Sequence, residues 1–118
     1  MHINNHNQQS FGSVGIYKNA NLAIRSRADY KSMQYINSLF IEQNSNNNVD
    51  ILLYTIGPKN STRLGANIFP NKTGSGIKSE RHIEHFLYKY QNPSKFIEQI
   101  CRKANKMSKL IENNKYKK

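Results

Sequence analysis

The chain has 118 residues and a mass of 13.7 kDa, which is enough for one compact domain and too little for two. Lysine and arginine number 18 against seven aspartate and glutamate, so the net charge is +11 at pH 7. The single cysteine, Cys101, excludes an intramolecular disulfide and a cysteine-based zinc site within one chain, and no apolar run approaches the roughly 18 residues of a membrane span.

The N-terminal part predicts a tail, a strand and a helix. Residues 1–12 are polar and punctuated by glycine, which predicts a flexible tail, and residues 14–17 predict a short strand. A first helix is expected from about Asp29 to Gln43 because Asp29 can cap it and apolar side chains recur at helical spacing. Those side chains are Tyr30, Met33, Ile36, Leu39 and Phe40.

The middle of the chain predicts two strands. Residues 49–56 are apolar at nearly every position and are followed by Gly57 and Pro58, a pattern that indicates a central strand buried on both faces. Residues 66–69 predict a second strand, which a basic loop connects to the first.

The C-terminal part predicts two helices. Ser79 can cap a helix from about Glu80 to Tyr90, and Asn92 and Pro93 can begin a longer one. An apolar stripe in the longer helix indicates a face turned toward the core in preference to a dimer seam. The stripe comprises Ile97, Ile100, Ala104, Met107 and Ile111.

We therefore expect one α+β domain over residues 13–113. Its antiparallel sheet should have two or three strands packed against three helices, the last of them long and amphipathic. Residues 114–118 should form a basic tail.

The charge predicts a polyanionic partner, because self-repulsion at +11 destabilises a compact chain unless a polyanion relieves it. Nucleic acid, with RNA favoured over DNA, is the first expectation, ahead of an anionic membrane surface and an acidic protein. The candidate binding residues are Lys59, Arg63, Lys72, Lys78, Arg81, His85 and Lys89, and the aromatic residues nearest to them are Tyr54, Tyr88 and Tyr90. We expect a monomer or a weak dimer without a cofactor.

A short motif, His82-Ile83-Glu84, adds an enzymatic alternative. Residues 79–84 resemble the His-x-Glu helix of the deaminase-like toxin families, a resemblance that extends over roughly residues 29–90. It implies that His82 binds zinc and that Glu84 transfers protons. The Pro-Cys-x-x-Cys motif that completes the zinc site in those families is missing, since the predicted third helix has only Cys101.

A ribonuclease without a metal is the stronger enzymatic alternative. RNA carries its own nucleophile, so cleavage needs an acid, a base and a cation. His82, Glu84 and His85 are the candidate catalytic residues, and whether the protein is an enzyme stays open. The lone cysteine and the lack of a signal peptide predict a cytoplasmic location, with delivery into another cell by a non-classical route as an alternative.

Overall fold

The computed structural model describes residues 8–11, 14–72 and 74–115. The strands are β1 (Gln8–Phe11), β2 (Val14–Tyr17), β3 (Val49–Thr55), β4 (Leu64–Pro70) and β5 (Glu80–Ile83). The α-helices are α1 (Lys18–Arg27), α2 (Tyr30–Gln43) and α3 (Ser94–Lys115). A short 3₁₀ turn, Phe86–Tyr88, lies between β5 and α3. The predicted α+β class is confirmed.

The strands form one mixed sheet in the order β1-β2-β3-β4-β5. Strands β2 and β3 are parallel and are connected through α1 and α2, and the other neighbours are antiparallel. The predicted antiparallel sheet of two or three strands is therefore wrong in size and in direction. Strand β1 also falls within the predicted tail, whereas residues 1–7 and 12 of that tail and residues 116–118 of the C-terminal one lie outside the described residues.

One face of the sheet carries the core. The register aligns Val14, Ile51 and Ile68 across β2, β3 and β4, and all three are at most 2% exposed. The helices pack against this face, so the side chains that alternate with them along β3 face the other way. Leu52 and Tyr54 are accordingly only half-buried, and the prediction that this strand is buried on both faces is wrong.

The second and third helices begin where the sequence predicts. Oδ1 of Asp29 accepts a hydrogen bond from the backbone N–H of Ser32 (2.8 Å), an interaction that lowers the pKa of Asp29. Oδ1 of Asn92 accepts one from the N–H of Ser94 (3.0 Å). The apolar stripe of α3 is buried at Ile97, Ile100, Cys101, Ala104, Met107 and Ile111. Within the described ranges, each helix is too short or too polar to cross a membrane.

The helix predicted over residues 80–90 is wrong. Residues 80–83 form β5, whose backbone pairs with β4 so that Glu80 lies opposite Ile68 and His82 opposite Ala66. The apolar side chains that suggested a helical face are exposed, among them Phe86 and Leu87. Hydrogen bonding to β4, a partner distant in the sequence, decides the conformation here, and local periodicity carries no information about it.

Candidate nucleic-acid interface

A cavity of about 570 Å³ lies between β5, the segment that follows it and the first half of α3. This volume falls in the range of sites that hold small ligands or parts of larger ones. Most of the residues that line it have polar or charged side chains, and the lining comprises His82, Ile83, Glu84, His85, Tyr88, Gln91, Asn92, Lys95, Phe96, Gln99 and Lys103.

The register of β5 places two neighbouring site candidates, Arg81 and His82, on opposite faces of the sheet. His82 lies opposite Ala66, a core residue, and therefore points to the helical side of the sheet. Arg81, its neighbour, points to the opposite face, where its Nε donates to the hydroxyl of Tyr54 (2.9 Å) and its guanidinium lies 5.8 Å from the ring centroid. His82, a predicted catalytic residue, therefore lines the cavity, and Arg81, a predicted binding residue, does not.

Helix α3 contributes two cations that sequence analysis did not select. Lys95, Gln99 and Lys103 follow one another at four-residue spacing, which places them on one side of the helix. Eight residues of helix separate the two lysines by about 12 Å along its axis. The ion pairs formed by the described residues include neither lysine, so both positive charges are available to a ligand.

Glu84 is the acidic residue of the lining, and its charge is neutralised. It is 5% exposed, and its two carboxylate oxygens accept hydrogen bonds from the guanidinium of Arg27 at 2.7 and 2.6 Å. Oε1 also accepts from the backbone N–H of Leu64 (3.1 Å), and the backbone carbonyl accepts from Nε of Arg63 (2.6 Å). Glu84 and Arg63 were both predicted as site residues. Their hydrogen bonds instead connect segments of the chain that are distant in the sequence.

Arg27 fixes the segment that follows β5. Besides the two bonds to Glu84, its guanidinium donates to the backbone carbonyls of Thr62 (2.9 Å), Tyr88 (2.6 Å) and Gln91 (2.7 Å). Five hydrogen bonds use all five N–H groups of the side chain. Arg27 was not predicted as a site residue, because its partners are 35 to 64 positions away in the chain.

The two predicted histidines lie in the cavity wall with different partners. Nε2 of the half-buried His82 donates to Oε1 of Glu80 (2.8 Å). Nδ1 of the exposed His85 accepts from the backbone N–H of Leu87 (3.2 Å), which leaves its Nε2 as the N–H donor when the ring is neutral. The His85 ring also stacks on Phe86, with 4.9 Å between centroids.

The remaining predicted cations do not join this site. Lys59 lines a separate cavity beside α1, and Lys72 lines a smaller one near the end of α3. Lys78 is exposed ahead of β5, and Nζ of Lys89 lies 5.2 Å from the ring centroid of Tyr90. The seven predicted binding residues therefore belong to several surfaces, and among them His85 lines the cavity.

The described residues include no group of three or more histidine, cysteine, aspartate or glutamate side chains that could hold a metal ion. Cys101 is buried in α3, and burial raises the pKa of its thiol to about 12. His82 and Glu84 lie in and just after a strand, where the resemblance to the deaminase-like toxins implies a helix. No family model, curated protein or solved structure matches the chain.

Proposed function

We propose that this protein binds nucleic acid, RNA in preference to DNA, in the cavity between β5 and α3. The charge balance of the cavity is the observation that supports the proposal most strongly. Lys95, Lys103 and two histidines line it, whereas Arg27 neutralises the negative charge of Glu84. A concave surface with an excess of positive charge attracts phosphate groups.

The polar groups of the lining suit a ribonucleotide chain. Lysines separated by about 12 Å along α3 can contact different phosphates of one strand. Between them and the strand β5, the side-chain amides of Gln91 and Gln99 offer hydrogen-bond donors and acceptors. The 2′-hydroxyl of RNA is itself both a donor and an acceptor, and contacts to it distinguish RNA from DNA.

The shape of the site favours nucleic acid over an anionic membrane. A membrane presents a broad, nearly flat array of charges, which protruding lysines contact more readily than those in a cavity. Here Lys103 is half-buried and lines a concave surface together with His82. An acidic protein is the remaining alternative, and competition with poly-glutamate tests it.

A salt series tests the proposed function. Fluorescence anisotropy with labelled single-stranded RNA should show binding at low salt, and the logarithm of the association constant should fall linearly with the logarithm of salt concentration, by about 0.7 per phosphate neutralised. Absence of binding at low salt, or an affinity that does not change with salt, would contradict the proposal.

Cleavage of RNA without a metal is a second candidate function, favoured by the presence of His82 and His85 in one cavity with Lys95 and Lys103. One imidazole would take the proton of the 2′-hydroxyl as its oxygen attacks phosphorus, and the other would protonate the departing 5′-oxygen. The products are a 2′,3′-cyclic phosphate and a 5′-hydroxyl. Glu84 is not assigned a role, because hydrogen bonds already occupy both carboxylate oxygens.

A further inference from the structure

The segment that follows β5 exposes an unusual amount of apolar surface. Phe86, Leu87, Tyr88 and Tyr90 are 55, 64, 53 and 76% exposed, although only 36% of the chain is hydrophobic. Exposed apolar side chains that are grouped in this way generally mark a surface that contacts a partner.

The backbone of this segment is fixed even though its side chains face solvent. The carbonyls of Tyr88 and Gln91 accept hydrogen bonds from Arg27, and the carbonyl of Lys89 accepts one from the hydroxyl of Thr62 (2.5 Å). The backbone that carries the aromatic rings is therefore held by hydrogen bonds in which the rings take no part. A rigid backbone that holds exposed rings lowers the entropic cost of binding through those rings.

The exposed rings adjoin the cationic cavity. Tyr88 is part of the cavity lining, and Phe86 stacks on His85, which is part of it too. His85 also lies 5.8 Å from Tyr88 between ring centroids. One continuous surface thus combines aromatic rings with the positive charges of α3. Proteins that bind single strands use this combination, because phosphates contact the cations while unpaired bases stack on the rings.

We propose that the site selects single-stranded nucleic acid and that unpaired bases stack on Phe86 and Tyr88. This inference rests on the proposed function, since it names the form of nucleic acid that the cavity takes. Electrostatic attraction alone favours a duplex, whose charge density is higher and whose salt dependence per contact is steeper. A preference for single strands would therefore arise from stacking on the rings and not from the charge of the lysines.

The test compares binding of single-stranded and duplex RNA of the same sequence at one salt concentration. Wild-type protein should bind the single strand at least about fivefold more tightly, the effect of one stacked base. Phe86→Leu and Tyr88→Leu keep apolar side chains but remove the rings, and each should lose at least about fivefold in affinity for the single strand with an unchanged salt slope. Tyr30→Leu is the matched control, because it removes an exposed ring outside the cavity lining, and it should bind like wild type.

The outcomes separate this inference from the proposed function. Equal or tighter binding of the duplex, or leucine variants that bind the single strand like wild type, would overturn the inference while salt-dependent RNA binding stood. If neither RNA binds, or if poly-glutamate competes for the site better than RNA does, the proposed function fails and the inference fails with it.

Discussion

Arg27, the last residue of α1, and Glu84, the first residue after β5, are 57 positions apart in the chain and form a buried ion pair with two hydrogen bonds. The pair joins the helical layer to the edge of the sheet at the wall of the cationic cavity. The guanidinium of Arg27 also donates hydrogen bonds to the backbone carbonyls of Tyr88 and Gln91. One arginine therefore removes a negative charge from the cavity and also fixes the segment that carries the exposed aromatic rings.

Replacing Glu84 with alanine should destabilise the fold strongly. The substitution leaves the guanidinium of Arg27 buried with its charge uncompensated, and removing one partner of a buried ion pair costs about 3–5 kcal/mol. The free energy of unfolding, measured with urea, should fall by that amount. Arg102→Ala is the matched control, because the Arg102 side chain is 77% exposed and its pair with Glu98 lies within one helix, so its loss should cost at most about 1 kcal/mol. Equal losses in the two variants would show that the buried pair has no special role.

The buried stripe of α3 gives a second test of the fold. Ile100 is 1% exposed, so Ile100→Asp places a charge in the core and should cost several kcal/mol. Lys109→Asp changes an exposed residue of the same helix and should stay within about 0.5 kcal/mol of wild type. Thermal unfolding of the two variants measures the difference. Similar melting temperatures would show that the assigned faces of α3 are wrong.

The thiol of Cys101 should be protected while the protein is folded. Burial raises its pKa to about 12 from the ordinary value of 9.0, so at pH 8 the folded protein should react with a thiol reagent far more slowly than the unfolded chain. Above about pH 9 the thiol of the unfolded chain loses its proton, whereas the buried thiol of the folded chain keeps it. The free energy of unfolding should therefore fall as pH rises above this value. Cys101→Ala should remove that part of the pH dependence. Rapid labelling of the folded protein would contradict the burial of the thiol.

Ribonuclease activity, if it is present, should depend on both histidines and on the 2′-hydroxyl. Wild-type protein incubated with RNA in the presence of EDTA should then release products ending in 2′,3′-cyclic phosphate and should leave DNA intact. His82→Ala and His85→Ala should each abolish turnover while RNA binding persists, because groups that act in one transition state fail together. Absence of cleavage by wild-type protein would contradict the enzymatic candidate. Cleavage that survives both substitutions would exclude this mechanism.

The predicted fold is correct where local sequence determines structure. The caps at Asp29 and Asn92 and the stripe through Ile100 depend on residues a few positions apart, and α2, α3 and their starts were predicted from them. Helix α1 was missed because its buried face consists of only Ala20, Ala23 and Ile24, a pattern too short to show a period. Strand β5 was predicted as a helix because pairing with β4 has no signal in the local sequence.

The candidate site was predicted in part for the same reason. His82, Glu84 and His85 adjoin one another in sequence, and all three do line the cavity. Lys95 and Lys103 were visible as basic residues at helical spacing, but the direction they face depends on how α3 packs against the sheet. The neutralisation of Glu84 depends on Arg27 at the end of a helix that was not predicted. Tertiary packing thus determines which charges lie in the same cavity. Local sequence patterns do not predict that packing.

We propose that the cavity, and not the total charge of the chain, binds the nucleic acid. Two double variants of α3 test it, since each removes two positive charges from the same helix. Lys95→Ala with Lys103→Ala changes the cavity, whereas Lys106→Ala with Lys109→Ala changes exposed residues outside its lining. In both variants the slope of the logarithm of the association constant for RNA against the logarithm of salt concentration is measured. The slope of the cavity variant should be shallower than that of wild type by up to about 1.4, and the outer variant should keep the wild-type slope. Equal losses in both variants would contradict the account, because they would show that the net charge alone attracts RNA.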